Sequence, residues 1–95
     1  MSAYLEITMH CPKENLSAAA GIYSKYRAPF LETIKGATSK ELLLRQEDVQ
    51  VLHGFETLED AQAYLSSELF QKDVSVELAK LWNKYPDIRI YNLVG

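Results

Sequence analysis

His10 and His53 are the only two imidazoles in this chain of 95 residues. Imidazole is the one side chain that titrates near neutral pH without help from its surroundings. If both face one pocket, one can take a proton from a phenol or enol while the other orients it. Tyr64, Phe55, Tyr91 and Trp82 supply aromatic surface on which a planar molecule can stack. Arg89 adds a fork of donors suited to an anionic group. Each has a plainer reading. His10 can be an exposed strand end and His53 a satisfied buried polar group. The aromatics, Trp82 above all, can be core or dimer packing, and Arg89 half of an interface ion pair.

Other chemistries are poorly served. The single cysteine, Cys11, leaves no intramolecular disulfide and no cysteine-based metal cluster. His10 beside it points to the opposite strand face and is badly placed to activate it. Glu6 shares the His10 face but sits about 13 Å away along the strand, too far for a hydrogen bond. Two histidines without a carboxylate pattern fall short of the three protein ligands zinc wants. Neither a metal nor a cofactor is expected. A net charge of -3 with mixed signs and no cationic stripe argues against nucleic acid as a partner. No apolar run approaches the roughly 18 residues of a membrane span. The first residues lack the basic end and apolar run of a signal peptide, and with the lone cysteine this points to the cytoplasm.

The elements that must position these groups are legible as periods. Residues 3–11 alternate, with Leu5, Ile7 and Met9 against Tyr4, Glu6, Thr8 and His10, and Pro12 ends the strand. Residues 14–35 carry a helical stripe of Leu16, Ala19, Ala20 and Tyr23. Pro29 predicts a break near Arg27 and Ala28, a short turn from Phe30 to Ile34, and a stop at Gly36. Residues 38–45 and 49–56 read as a hairpin, with Val49, Val51, His53 and Phe55 on one face and Gly54 marking a bulge or close approach. Thr57 starts a helix carrying Leu58, Ala61, Tyr64 and Leu65. A further helical pattern runs from Val74 to Trp82, and residues 87–94 form a last strand.

The expected fold is therefore α+β, a single domain over residues 1–95 with a ferredoxin-like βαββαβ antiparallel sheet. Its helices cover one sheet face. Large groups on the other, among which Tyr4, His10, His53, Phe55 and Tyr91 are counted, call for a partner sheet, so a homodimer is expected. A chain this short has a marginal core of its own, which favours the same solution.

Residues 51–74, VLHGFETLEDAQAYLSSELFQKDV, resemble the antibiotic-biosynthesis-monooxygenase type of dimeric α+β barrel. The matching parts are the strand-end Phe55, the helix start Thr57-Leu58-Glu59-Asp60, the pair Tyr64-Leu65, and the Ser-x-x-Phe segment Ser67 to Phe70. The resemblance implies two ferredoxin-like sheets packed face to face, with a pocket in each subunit. The family includes cofactor-free oxygenases of aromatic or quinol substrates, haem degraders and isomerases. This chain departs from it where His53 replaces an acidic residue and where Tyr64 and Leu69 stand in place of histidines. The haem-degrading branch has tryptophan at the Tyr64 position and histidine near Val74, and valine cannot ligate iron. The implied function is a cofactor-independent monooxygenase of a small aromatic or quinol-like molecule. His53 or His10 would be the base, Tyr64 would hold the substrate oxygen, and Phe55, Tyr91 and Arg89 would bind. Its alternatives are a non-catalytic dimeric binding or stress-response module, and a proton-shifting isomerase. The catalytic reading requires Tyr64, His53 and His10 to converge on one cavity.

Overall fold

The structure, a computed structural model, describes residues 2–81 and 85–94, so Trp82 lies outside the described residues. Alternation makes the strands. In β1 (Ala3–Met9) residues Ala3, Leu5, Ile7 and Met9 are buried and Tyr4, Glu6 and Thr8 half-buried. β1 and β3 (Val49–Phe55) are the two inner strands of an antiparallel sheet ordered β2-β3-β1-β4. The outer strands are β2 (Ala37–Leu44) and β4 (Asp87–Asn92). With its helices between these strands, the chain has the ferredoxin-like α+β arrangement that the periods imply.

Register decides which residues meet. Ala3 faces Phe55, Leu5 faces His53 and Ile7 faces Val51 across β1 and β3. Lys40 faces His53 across β2 and β3. Directly opposed residues project to the same side of a sheet, so His53 and Phe55 belong with Leu5 and Ala3 under the helices. This corrects the grouping of His53 and Phe55 with the open side. That side carries Tyr4, Glu6, Thr8, Gln50, Leu52, Arg89 and Tyr91, a mixture of polar and apolar groups.

The first helix, α1 (Leu16–Thr33), follows a 3-10 turn at Lys13–Asn15 and runs through Pro29 without the expected break. Proline inside a helix costs about 3 kcal/mol through its missing amide and its crowding of the previous turn. Tyr26 and Phe30 are both buried on one face of α1, and burial of such side chains contributes about 1.5–3 kcal/mol each. The continuous helix wins, and Phe30 becomes a core residue instead of part of a turn. At the end of α1, Ile34 is extended and Gly36 takes φ 77°, where an added Cβ would collide with the Asp60 carboxylate. Gly54 is the expected close approach: a Cβ there would collide with Ser39 Oγ, beside a register shift between Ala37 and Ser39.

Thr57 caps α2 (Leu58–Leu65) as expected, its Oγ1 accepting from the Asp60 amide at 3.1 Å. Ser67 then turns the chain. Its Oγ donates to the Tyr64 carbonyl at 2.6 Å and accepts from the Phe70 amide at 3.2 Å. A π-helical segment (Leu69–Val74) leads into the short α3 (Ser75–Ala79), which ends before the predicted limit at Trp82. Among the described residues no helix is long and apolar enough to cross a membrane.

Candidate functional site

Between the sheet and the helices lies an aromatic cluster centred on Phe30. Its ring centroid is 5.2 Å from His53, 5.5 Å from Phe55 and 5.0 Å from Tyr64, all edge-on. Tyr64 also meets His53 at 5.4 Å and Phe70 at 5.3 Å. Such contacts add about 0.5–1.5 kcal/mol per pair beyond area burial, so the rings are held in place. His53, Tyr64 and Phe55 are thus brought together, but His10, which the catalytic reading requires in one cavity with His53 and Tyr64, is not among them.

His53 is 1% exposed, with Nδ1 at 3.1 Å from the Leu5 carbonyl oxygen. A carbonyl only accepts, so this contact assigns the proton to Nδ1 and leaves Nε2 as a lone pair. Burial first, and the neighbouring Lys40 charge second, push its pKa down to about 3. The imidazole is neutral at physiological pH and resists protonation. It can orient a donor but is a weak base.

Lys40 was not singled out from the sequence, and it is the most unusual group in the site. It is 2% exposed, whereas lysine is almost never fully buried without a partner. Among the described residues no carboxylate pairs with it. Its Nζ lies over two rings instead, 5.3 Å from the Phe30 centroid and 5.9 Å from that of Tyr23. Burial lowers its pKa to about 8. Helix α1 holds the strand at this point: the Lys40 carbonyl accepts from Tyr23 Oη at 2.6 Å and from Arg27 Nε at 3.2 Å. A signal was present in the sequence. Lys40 occurs in phase with Leu42 and Leu44, a cation on the apolar side of a strand.

Lys40 and His53 border a cavity of about 20 Å³, otherwise walled mainly by Ile7, Met9, Val51, Ile22, Val74 and Leu78. That is room for about one water molecule. Tyr64 borders a separate outer recess of about 170 Å³ with Ile34, Asp60 and Ser67. Its hydroxyl is buried and has no hydrogen-bond partner among the described residues, and burial pushes the phenol well above its usual range.

His10, Arg89 and Tyr91 do not join the cluster. His10 follows the end of β1 and belongs with the β2–β3 turn, where its charge helps Arg45 hold the Asp48 carboxyl below the usual range. Arg89 pairs with Asp87 at 3.0 Å on the surface. Tyr91 is 46% exposed and faces Tyr4 on the open side of the sheet. Strand alternation is the reason: these residues occupy the phase opposite to the core. Among the described residues no three histidine, cysteine or acidic side chains gather as a metal site would require.

No protein-family model and no curated protein matches this chain. Solved structures do. Two proteins provisionally named antibiotic biosynthesis monooxygenases are similar over most of their length. One is from Bordetella bronchiseptica, with TM-score 0.84 and 11% identity over 98% of this chain and 97% of that one. The other is from Caulobacter crescentus, with TM-score 0.83 and 11% identity over 99% and 91%. A Bacteroides fragilis protein described as dimeric, of unknown function and ferredoxin-like fold, has TM-score 0.76 and 12% identity over 97% and 96%. Identities this low establish architecture and leave the reaction open. By its sheet order, its helix placement and these likenesses, the chain has the ferredoxin-like α+β fold found in the antibiotic-biosynthesis-monooxygenase type of protein.

Proposed function

We propose that this protein is a cofactor-independent monooxygenase of a small phenol or quinol, with Lys40 as its working base. One observation carries the reading: an amine without a carboxylate partner among the described residues, directly across a strand pair from a neutral histidine, in an apolar cavity. With its pKa near 8, a useful fraction of Lys40 is neutral at physiological pH and can take a phenolic proton. The ammonium so formed pairs with the phenolate in a medium of low dielectric, where that attraction is strong. His53 orients the substrate, while Tyr64, whose ring lies 5.4 Å from that of His53, borders the separate outer recess and is given no contact with the substrate. The electron-rich anion then reacts with dioxygen. Hydroquinone plus O2 gives hydroxyquinone plus water, with all four electrons drawn from the substrate. His10, the other histidine considered as base, does not border this cavity.

An aromatic ring is larger than the cavity, so entry displaces its cover. Val74 and Leu78 form that cover on the π-helical segment and α3. π-Helical turns are frequent at functional sites. Among the described residues, Glu77 of α3 accepts hydrogen bonds from two groups on α1, Tyr26 and, at 3.1 Å, Lys25. The expected result is oxygen uptake with one or more of a panel of hydroquinones, reduced on the order of a hundredfold in Lys40→Met, the typical worth of a general base. Flat oxygen-electrode traces across the panel for the wild-type chain would discard the oxygenase reading in favour of a binding module.

The open side of the sheet is assigned to a second copy. Tyr4, Leu52, Tyr91 and Leu43 form its apolar part, Tyr91 and Leu43 each 46% exposed, and the Bacteroides fragilis neighbour is described as dimeric. Sedimentation at micromolar concentration is expected to give twice the chain mass, and a stable monomer would remove the assignment.

A further inference from the structure

We propose that Lys40 captures a short aliphatic aldehyde as an imine inside the cavity it shares with His53. The proposal uses the site described above but needs no oxygen and no phenol. Imine formation asks for a primary amine that is held still, shielded from water and not committed to a carboxylate. Lys40 meets each condition. It is 2% exposed, its strand is clamped to α1 through its own carbonyl, and its Nζ rests on the rings of Phe30 and Tyr23 without an acidic partner among the described residues. The remaining walls, including Ile7, Ile22, Val51 and Leu78, are hydrocarbon and suit an alkyl chain. A short aldehyde, like the aromatic ring, must displace the Val74 and Leu78 cover, but by less.

The step balances without an oxidant. The nitrogen lone pair adds to the carbonyl carbon, forming the C–N bond as the C=O π pair moves to oxygen. A proton passes from nitrogen to that oxygen. The C–O bond then breaks with a second proton taken from the amine nitrogen, releasing one water and leaving C=N. Expulsion of that water into solvent favours the imine in a dry site. The same burial that holds Lys40 near pKa 8 keeps far more of it neutral at neutral pH than of an exposed lysine.

The test treats the full-length chain with acetaldehyde and sodium cyanoborohydride near neutral pH, followed by intact mass and peptide mapping. The expected result is one ethyl adduct at Lys40, formed at least roughly tenfold faster than at exposed lysines such as Lys72, given their difference in neutral fraction. The selectivity should vanish in denaturant, and the fast adduct should be absent from Lys40→Met. Labelling of surface lysines with Lys40 unmodified, or modified no faster than Lys72, overturns the proposal. Oxygen uptake measured in parallel separates the two readings: Lys40-dependent uptake without the adduct leaves the oxygenase standing, and the adduct without uptake leaves only the imine site.

Discussion

Lys40→Met is expected to unfold at a higher denaturant concentration than the wild-type chain at pH 7, although it removes the group on which the proposed chemistry rests. The buried ammonium is the reason. Its pKa falls from 10.5 to about 8 on folding, so between those values the unfolded chain binds more protons than the folded one. Stability must therefore rise with pH across this window, and below about pH 8 the folded chain carries the whole cost of a buried charge. A shift of that size corresponds to about 3 kcal/mol at 1.36 kcal/mol per unit. Methionine is unbranched, apolar and fits irregular gaps, so it should recover much of this. For a domain of this length, each recovered kcal/mol raises Tm by about 4–8 °C. The variant should also lose the rise in stability between pH 8 and 10. A variant less stable than wild type at pH 7, or one with the same alkaline rise, would show that the Lys40 amine is well solvated or paired. Stability gained as activity is lost is the usual signature of a strained functional site.

Acid is expected to unfold the protein earlier than its carboxylates alone would dictate, because of His53. Folding lowers the His53 pKa from 6.5 to about 3, so the folded chain keeps the ring neutral while the unfolded chain protonates it. The stability this represents is fully present above pH 6.5 and drains away as pH falls towards 3. By then the loss is about 5 kcal/mol, comparable to the whole stability of a small domain. Asp48 and Glu77 are also held below the usual carboxylate range, Asp48 by Arg45 and Glu77 by Tyr26 and Lys25. Their contribution falls below about pH 4.5 and is modest for exposed pairs. The window from 4.5 to 6.5 is thus diagnostic. His53→Leu should be less stable at pH 7 by about 1 kcal/mol for the lost hydrogen bond to Leu5, yet nearly flat across that window. Parallel slopes for the two proteins in urea titrations would mean that His53 protonates freely in the folded state.

Much of the fold could be read residue by residue. The alternation of Leu5, Ile7 and Met9 with Tyr4, Glu6 and Thr8 makes β1, and Thr57 before Glu59 and Asp60 makes the start of α2. Pro29 misleads, since its local preference to end a helix is overridden by the burial of Phe30. Of the candidate site residues, His53, Tyr64 and Phe55 gather around that same ring. His10, Arg89 and Tyr91 are placed elsewhere, because one position along a strand reverses the face.

The order of elements was decided by the chain alone, since periods of two and of about three and a half residues are local properties that need no partner. The company each residue keeps was not. That Lys40 opposes His53 depends on the register between β2 and β3, and that both lie beneath Phe30 depends on a helix continuing past a proline. Register and burial are collective properties of the packed chain, and they turn an ordinary lysine into an amine with lowered proton affinity in an apolar cavity.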